Sequence, residues 1–145
     1  MPVLKPRLLL IEDDPLRVEL FRSWLAASIY AGEFVFIVAT TGGQALGVLK
    51  MDSSLIAGIC LDHDLNTQQK TESDATTSGS NVVTSILDRV KRHIPILVHS
   101  MNTVKGAEMC RRLTAAGFTV DRTRMSILDA TKFDRWLTVV ADNWN

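Results

Sequence analysis

Three groups of residues able to do metal and phosphate chemistry stand just after apolar runs. Glu12, Asp13 and Asp14 follow residues 8–11; Asp62, His63 and Asp64 follow residues 55–61; His99, Ser100 and Asn102 follow residues 94–98. Five carboxylates brought to neighbouring positions repel one another unless a cation lies among them. Hard oxygen ligands of this kind suit Mg²⁺ or Mn²⁺, and Mg²⁺ keeps open positions for phosphate oxygens. The carboxylates of Glu12, Asp13, Asp14, Asp62 and Asp64 are therefore candidate ligands for such an ion. The two histidines add groups that exchange protons near neutral pH. Hydrolysing a phosphate ester needs a base for water, an acid for the leaving oxygen and charge for the phosphorane-like transition state. Two histidines supply the first two, and a metal or arginine supplies the third.

Such residues act together only if the chain gathers the ends of those runs. The runs at 8–11, 34–38, 55–61 and 94–98, with a weaker one at 118–120, do not alternate with polar residues. Strands covered by helices on both faces look like this. Between them lie segments of helical spacing. Leu16, Leu20, Trp24 and Leu25 predict one apolar stripe; Thr41 precedes a short helix through Gln44; residues 81–92 carry Val82, Val83, Ile86, Leu87 and Val90. Residues 103–116 end at Gly117, a C′ glycine, and residues 131–142 turn Phe133, Trp136, Leu137 and Val140 inward. Strand and helix alternate five times. The expected fold is α/β, a three-layer sandwich with a doubly wound five-stranded parallel sheet, formed by residues 1–145 as one domain. Ligand sites in such sheets lie beyond the C-terminal strand ends, where all three groups fall. Residues 66–80 are polar and of low complexity, and predict a mobile loop able to cover the site.

Alternation along a strand complicates this picture. Asp62 and Asp64 point one way and His63 the other, as do Ser100 and Asn102 against His99. Both histidines reach the acids only if the strands end or bend there. Otherwise each packs under a helix and bonds a backbone carbonyl. His93, just ahead of Ile94-Pro95, reads as structural, at a helix C-terminus.

Composition excludes several classes. Sixteen Lys and Arg against sixteen Asp and Glu leave no net field for coating DNA. No apolar run approaches the ~20 residues of a membrane span, and the N-terminus does not read as a signal peptide. Cys60 and Cys110 form no CxxC pair and fit a reducing compartment, so a cytoplasmic protein is expected.

Ile11-Glu-Asp-Asp-Pro15, a buried run ending in Asp62, and Ile94-Pro-Ile-Leu-Val-His-Ser100 together resemble a response-regulator receiver domain, CheY-like, over nearly the whole chain. The resemblance implies that Glu12, Asp13 and Asp62 hold Mg²⁺, that Asp62 is the phosphoacceptor of a phosphorelay, and that Ser100 contacts the phosphoryl group. The pairing of Leu61-Asp-His-Asp-Leu65 with Val98-His-Ser-Met-Asn102 is similar to a divergent branch, the cyclic-phosphate-processing receivers, for which action on cyclic phosphate ends and a part in RNA repair have been proposed. This implies catalytic roles for His63, His99 and Asp62, with Asn102 among the phosphate contacts. Receivers also carry a Lys-Pro pair after the fifth strand, where this chain has Asp121-Arg-Thr-Arg124. Arg122 or Arg124 could supply the missing charge, although a planar guanidinium is no substitute for a point charge.

Three functions follow as alternatives. One is a stand-alone, metal-dependent phosphoesterase acting on cyclic phosphates, with RNA ends as candidate substrates. Another is a signalling receiver that takes a phosphoryl group from a phosphodonor onto Asp62. The last is a degenerate receiver serving as an interaction surface. The absent Lys-Pro weakens the second, and the intact acids weaken the third.

Overall fold

The computed structural model describes residues 4–51, 53–62, 79–101 and 103–144. Five strands are present: β1 (Arg7–Ile11), β2 (Val35–Ala39), β3 (Ile56–Leu61), β4 (Ile96–Val98) and β5 (Val120–Arg122). They alternate with helices α1 (Pro15–Ala26), α2 (Gly42–Met51), α3 (Gly79–Arg89), α4 (Thr103–Ala115) and α5 (Ala130–Trp144). Every strand pairing is parallel, in the order β2-β1-β3-β4-β5. This is the doubly wound sandwich that the alternation of apolar runs and helical segments predicts. Its order reverses at β1 and β3, the place where such sheets bind ligands.

The unbroken apolar runs are explained by two cores, one on each face. All six residues of β3 are buried. Leu9, Ile11, Leu61 and Val98 pack under α2, α3 and α4 with Leu49, Ile86 and Met109. Leu8, Leu10, Cys60 and Leu97 pack under α1 and α5 with Phe21, Phe133 and Trp136. Gly58 permits the second packing, because a Cβ there would stand 2.8 Å from Trp136 Cη2 and 3.0 Å from Val140 Cγ2. The register between β1 and β3 slips once between Arg7 and Leu8. Leu8 to Ile11 then run in step with Gly58 to Leu61.

Several local expectations are met. Gly117 ends the turn after α4 at φ 104°, with Phe118 N–H donating to the Leu113 carbonyl at 3.1 Å. Phe133, Trp136, Leu137 and Val140 of α5 are buried.

One expectation is overturned. The stripe Leu16-Leu20-Trp24-Leu25 is not the inward face of α1: Leu16 and Leu20 are 77% and 46% exposed, and Val18, Phe21 and Leu25 are buried. Val18, Phe21 and Leu25 make a different face at helical spacing, and it is the one that is buried. The one chosen lets Phe21 meet Phe36 and Phe133 edge-on, at centroid distances of 6.4 and 5.6 Å.

Boundaries also move. The third helix starts at Gly79, so the last two residues of the expected loop are helical, and residues 66–78 lie outside the described residues. That helix ends at Arg89, which leaves His93 exposed in the turn before β4 rather than at a helix terminus. Both cysteines are free, and no described helix is long and apolar enough to cross a membrane.

Candidate functional site

Register builds the site. Ile11 pairs with Leu61, and Leu61 with Val98. The ladder continues one residue further, with Asp62 N–H donating to the Ile11 carbonyl at 3.1 Å and His99 N–H to the Leu61 carbonyl at 3.0 Å. Glu12, Asp62 and His99 therefore form a row across the ends of β1, β3 and β4. They lie two residues beyond Leu10, Cys60 and Leu97, on the face covered by α1 and α5. One potential ligand atom from each lies within 4.8 Å of the others. All three side chains are buried, at 0%, 1% and 0% exposure.

Beyond β4 the side chains do alternate, His99 and its neighbour Ser100 taking opposite faces. What decides the outcome is the register between strands, which sets His99 beside Asp62. His99 Nε2 lies 3.2 Å from Glu12 Oε1, and the imidazole packs on Phe21 with ring centroids 4.9 Å apart. Glu12 Oε2 accepts from the Asp14 N–H at 3.1 Å. Asp14 in turn caps α1, accepting from the Leu16 N–H at 2.9 Å, and Pro15 occupies the first helical position, where its missing N–H costs nothing. This turn sets Arg17 over the acids. Its guanidinium lies 3.7 Å from Glu12 Oε1, 3.7 Å from Asp62 Oδ2 and 3.6 Å from Asp14 Oδ2.

Burial dominates the electrostatics. It pushes the Glu12 carboxyl up to about 7; Asp13 adds to the rise, and the Asp14 N–H and Arg17 oppose it. Burial also holds His99 down to about 4, with Asp62 opposing and Arg17 assisting. The imidazole is thus neutral at pH 7, and among the described residues its Nδ1 has no hydrogen-bond partner. Two carboxylates and a neutral imidazole suit a divalent cation.

Of the other expected residues, Asp13, Ser100, Arg122 and Arg124 are described and stand outside this row. Asp13 is buried beside Glu12 but is not one of the three that converge. Ser100 is buried and turns toward α4. A Cβ at Gly106 would lie 3.5 Å from Ser100 Cβ and 3.6 Å from Arg122 Nε, so Ser100 and Arg122 share one wall. Arg124 is exposed in the turn before α5, where its carbonyl accepts from the N–H groups of Ile127 and Leu128. His63, Asp64 and Asn102 lie outside the described residues. Sequence reasoning missed Arg17. The sequence shows only a basic residue three positions after Asp14, in the first turn of the helix that follows the acids, and that alone marks no function.

Comparison with known proteins follows the same lines. The family model described as "Cyclic-phosphate processing Receiver domain" matches residues 9–115, a span that includes Glu12, Arg17, Asp62, His99 and Ser100. No curated protein matches the sequence. Among solved structures, a two-component response regulator from Legionella pneumophila superposes with a TM-score of 0.66 at 14% identity, over 95% of this chain and 99% of that one. The Mn²⁺-bound form of response regulator Rcp1 gives 0.62 at 17% identity, over 92% and 91%. The bacteriophytochrome response regulator AtBRR gives 0.62 at 22% identity, over 97% and 94%. At these identities the structures share the receiver fold. The family match spans most of the chain, and this chain belongs to the cyclic-phosphate processing receiver domains.

Proposed function

We propose that this receiver domain hydrolyses a cyclic phosphate ester at a divalent-metal site, with RNA ends as the candidate substrate class. The observation that carries the reading is the buried row of Glu12, Asp62 and His99, which sets an imidazole within 3.2 Å of a carboxylate at the strand ends. A phosphoacceptor site has no need of a buried histidine there. The family match supports the same substrate chemistry.

Glu12 and Asp62 would hold Mg²⁺ or Mn²⁺, with Asp13 and the Asp64 carbonyl available as further ligands and the His99 imidazole left beside the ion for proton transfer. The cation supplies Lewis-acid charge to the non-bridging phosphoryl oxygens. Ser100 and Arg122, on the wall toward α4, donate hydrogen bonds to those oxygens, and Asn102 and Arg124 are further candidates from neighbouring segments. In the reaction a water oxygen bonds to phosphorus and one ring P–O bond breaks. The water's proton passes to a base, and the departing alkoxide takes a proton from an acid. His63 and His99 are assigned these two roles, His99 being neutral near pH 7 and so able to accept a proton.

Turnover of a 2′,3′-cyclic nucleotide with Mg²⁺ or Mn²⁺ tests this. Substituting either histidine by alanine is expected to slow turnover by at least ~100-fold, the usual share of a general acid or base. Turnover unchanged in the His63→Ala, His99→Ala double variant would remove the histidines from the mechanism.

A second reading has its own observation: Asp62 ends the central strand and Ser100 follows β4, the arrangement of a phosphoacceptor and its hydroxyl partner. It expects acetyl phosphate to yield a stoichiometric Asp62 adduct with both histidines dispensable. That result, with no cyclic phosphate turned over, would establish signalling instead.

A further inference from the structure

We infer that Arg17 is a resident counterion that a divalent metal displaces and that then binds the phosphate group of the ligand. The inference rests on the metal site proposed above and adds to it the group that recognises the anion.

Three observations carry it. First, Arg17 reaches the buried row, lying 3.7 Å from both Glu12 and Asp62 and 3.6 Å from Asp14. The Arg122 guanidinium, by contrast, lies by Gly106 on the α4 side. Second, the three separations exceed the about 2.7–2.9 Å of a charge-assisted hydrogen bond, so the guanidinium is stationed near the acids rather than locked onto them. Third, its side chain is 30% exposed while the Glu12 and Asp62 side chains are 0% and 1% exposed. Arg17 therefore stands at the mouth of the site and the acids at its floor.

The order of events follows from charge and distance. A divalent ion about 2.1 Å from a carboxylate oxygen interacts ~3.5 times more strongly than a guanidinium at 3.7 Å, at equal dielectric. A divalent ion on those oxygens would compete with the guanidinium for the same charge and leave it at the mouth, anchored through its helix. A planar fork of N–H donors there matches two oxygens of a phosphate. This places on α1 the positive charge that a receiver draws from the lysine after its fifth strand.

Two measurements on the full chain test the exchange: Mn²⁺ affinity of the metal-free protein by electron paramagnetic resonance, and affinity of the Mn²⁺-loaded protein for inorganic phosphate by calorimetry. Arg17→Met keeps the aliphatic stem and removes the charge. It is expected to bind Mn²⁺ roughly three- to tenfold more tightly, because a competing cation is gone, and phosphate about tenfold or more weakly. Arg17→Lys is expected to recover part of the phosphate affinity, without the two-pronged contact. A residue that only braces the fold would move both affinities downward together. Unchanged Mn²⁺ binding, or unchanged phosphate binding, in a folded Arg17→Met protein overturns the inference and leaves the metal site standing. No Mn²⁺ binding by the wild type overturns the metal site and the inference with it.

Discussion

At the scale of single residues, Glu12 and His99 shift in opposite directions for the same reason, loss of water around the charged form. The consequence for stability is separable by mutation in the metal-free protein. Glu12 is raised from 4.5 to about 7, so its contribution is complete below the lower value and lost as pH rises through the upper one. His99 is lowered from 6.5 to about 4, so its contribution is complete above pH 6.5 and lost as pH falls toward 4. Between about pH 4.5 and 6.5 the two slopes oppose. With a chelator present, Glu12→Gln is expected to lose stability relative to wild type as pH falls through this window. His99→Gln is expected to lose it as pH rises. Each drift is of order 1–3 kcal/mol, read by urea melts at several pH values. Parallel pH profiles for wild type and both variants would mean that neither group is desolvated as described.

Elements carry a different lesson, because α1 serves the site from two sides. Its N-terminal turn presents Arg17, and Phe21 one turn later packs under His99 and against Phe133. Phe21→Ala is expected to cost about 3–5 kcal/mol, whereas Leu16→Gln and Leu20→Gln should each stay within about ±0.5 kcal/mol. Denaturant midpoints distinguish the two faces, and a large loss from Leu16→Gln would restore the face that spacing suggested. The opposite end of the same core depends on Gly58, where α5 crosses β3 against backbone. Gly58→Ala should destabilise the chain by about 1–3 kcal/mol through displacement of Trp136 and Val140, and a neutral result would show that α5 can shift away.

For the molecule as a whole, metal binding is a folding term. A ligand that binds only the folded chain adds about 2.7 kcal/mol at a hundred times its dissociation constant. Mg²⁺ or Mn²⁺ should therefore raise the melting temperature and a chelator should reverse the rise. Asp13→Asn together with Asp62→Asn should abolish the gain. A double variant that still gains stability would move the metal away from this row.

The order of elements was legible in the sequence because burial on both faces leaves strands without alternation, and because Gly117 and the α5 stripe mark their own roles. The acids and His99 were legible as strand-end groups for the same reason. The inward face of α1 was not, since two apolar stripes satisfy the same helical period and only the aromatic cluster from β2 and α5 chooses between them. Nor could position along one strand reveal that His99 sits beside Asp62 while Ser100 turns toward α4. That is a matter of register between strands, set by hydrogen bonds across the sheet. Arg17 escaped notice because a basic residue in a first helical turn has no local signature of function. It acquires one only when the packed ends of β1, β3 and α1 bring its charge over two buried carboxylates.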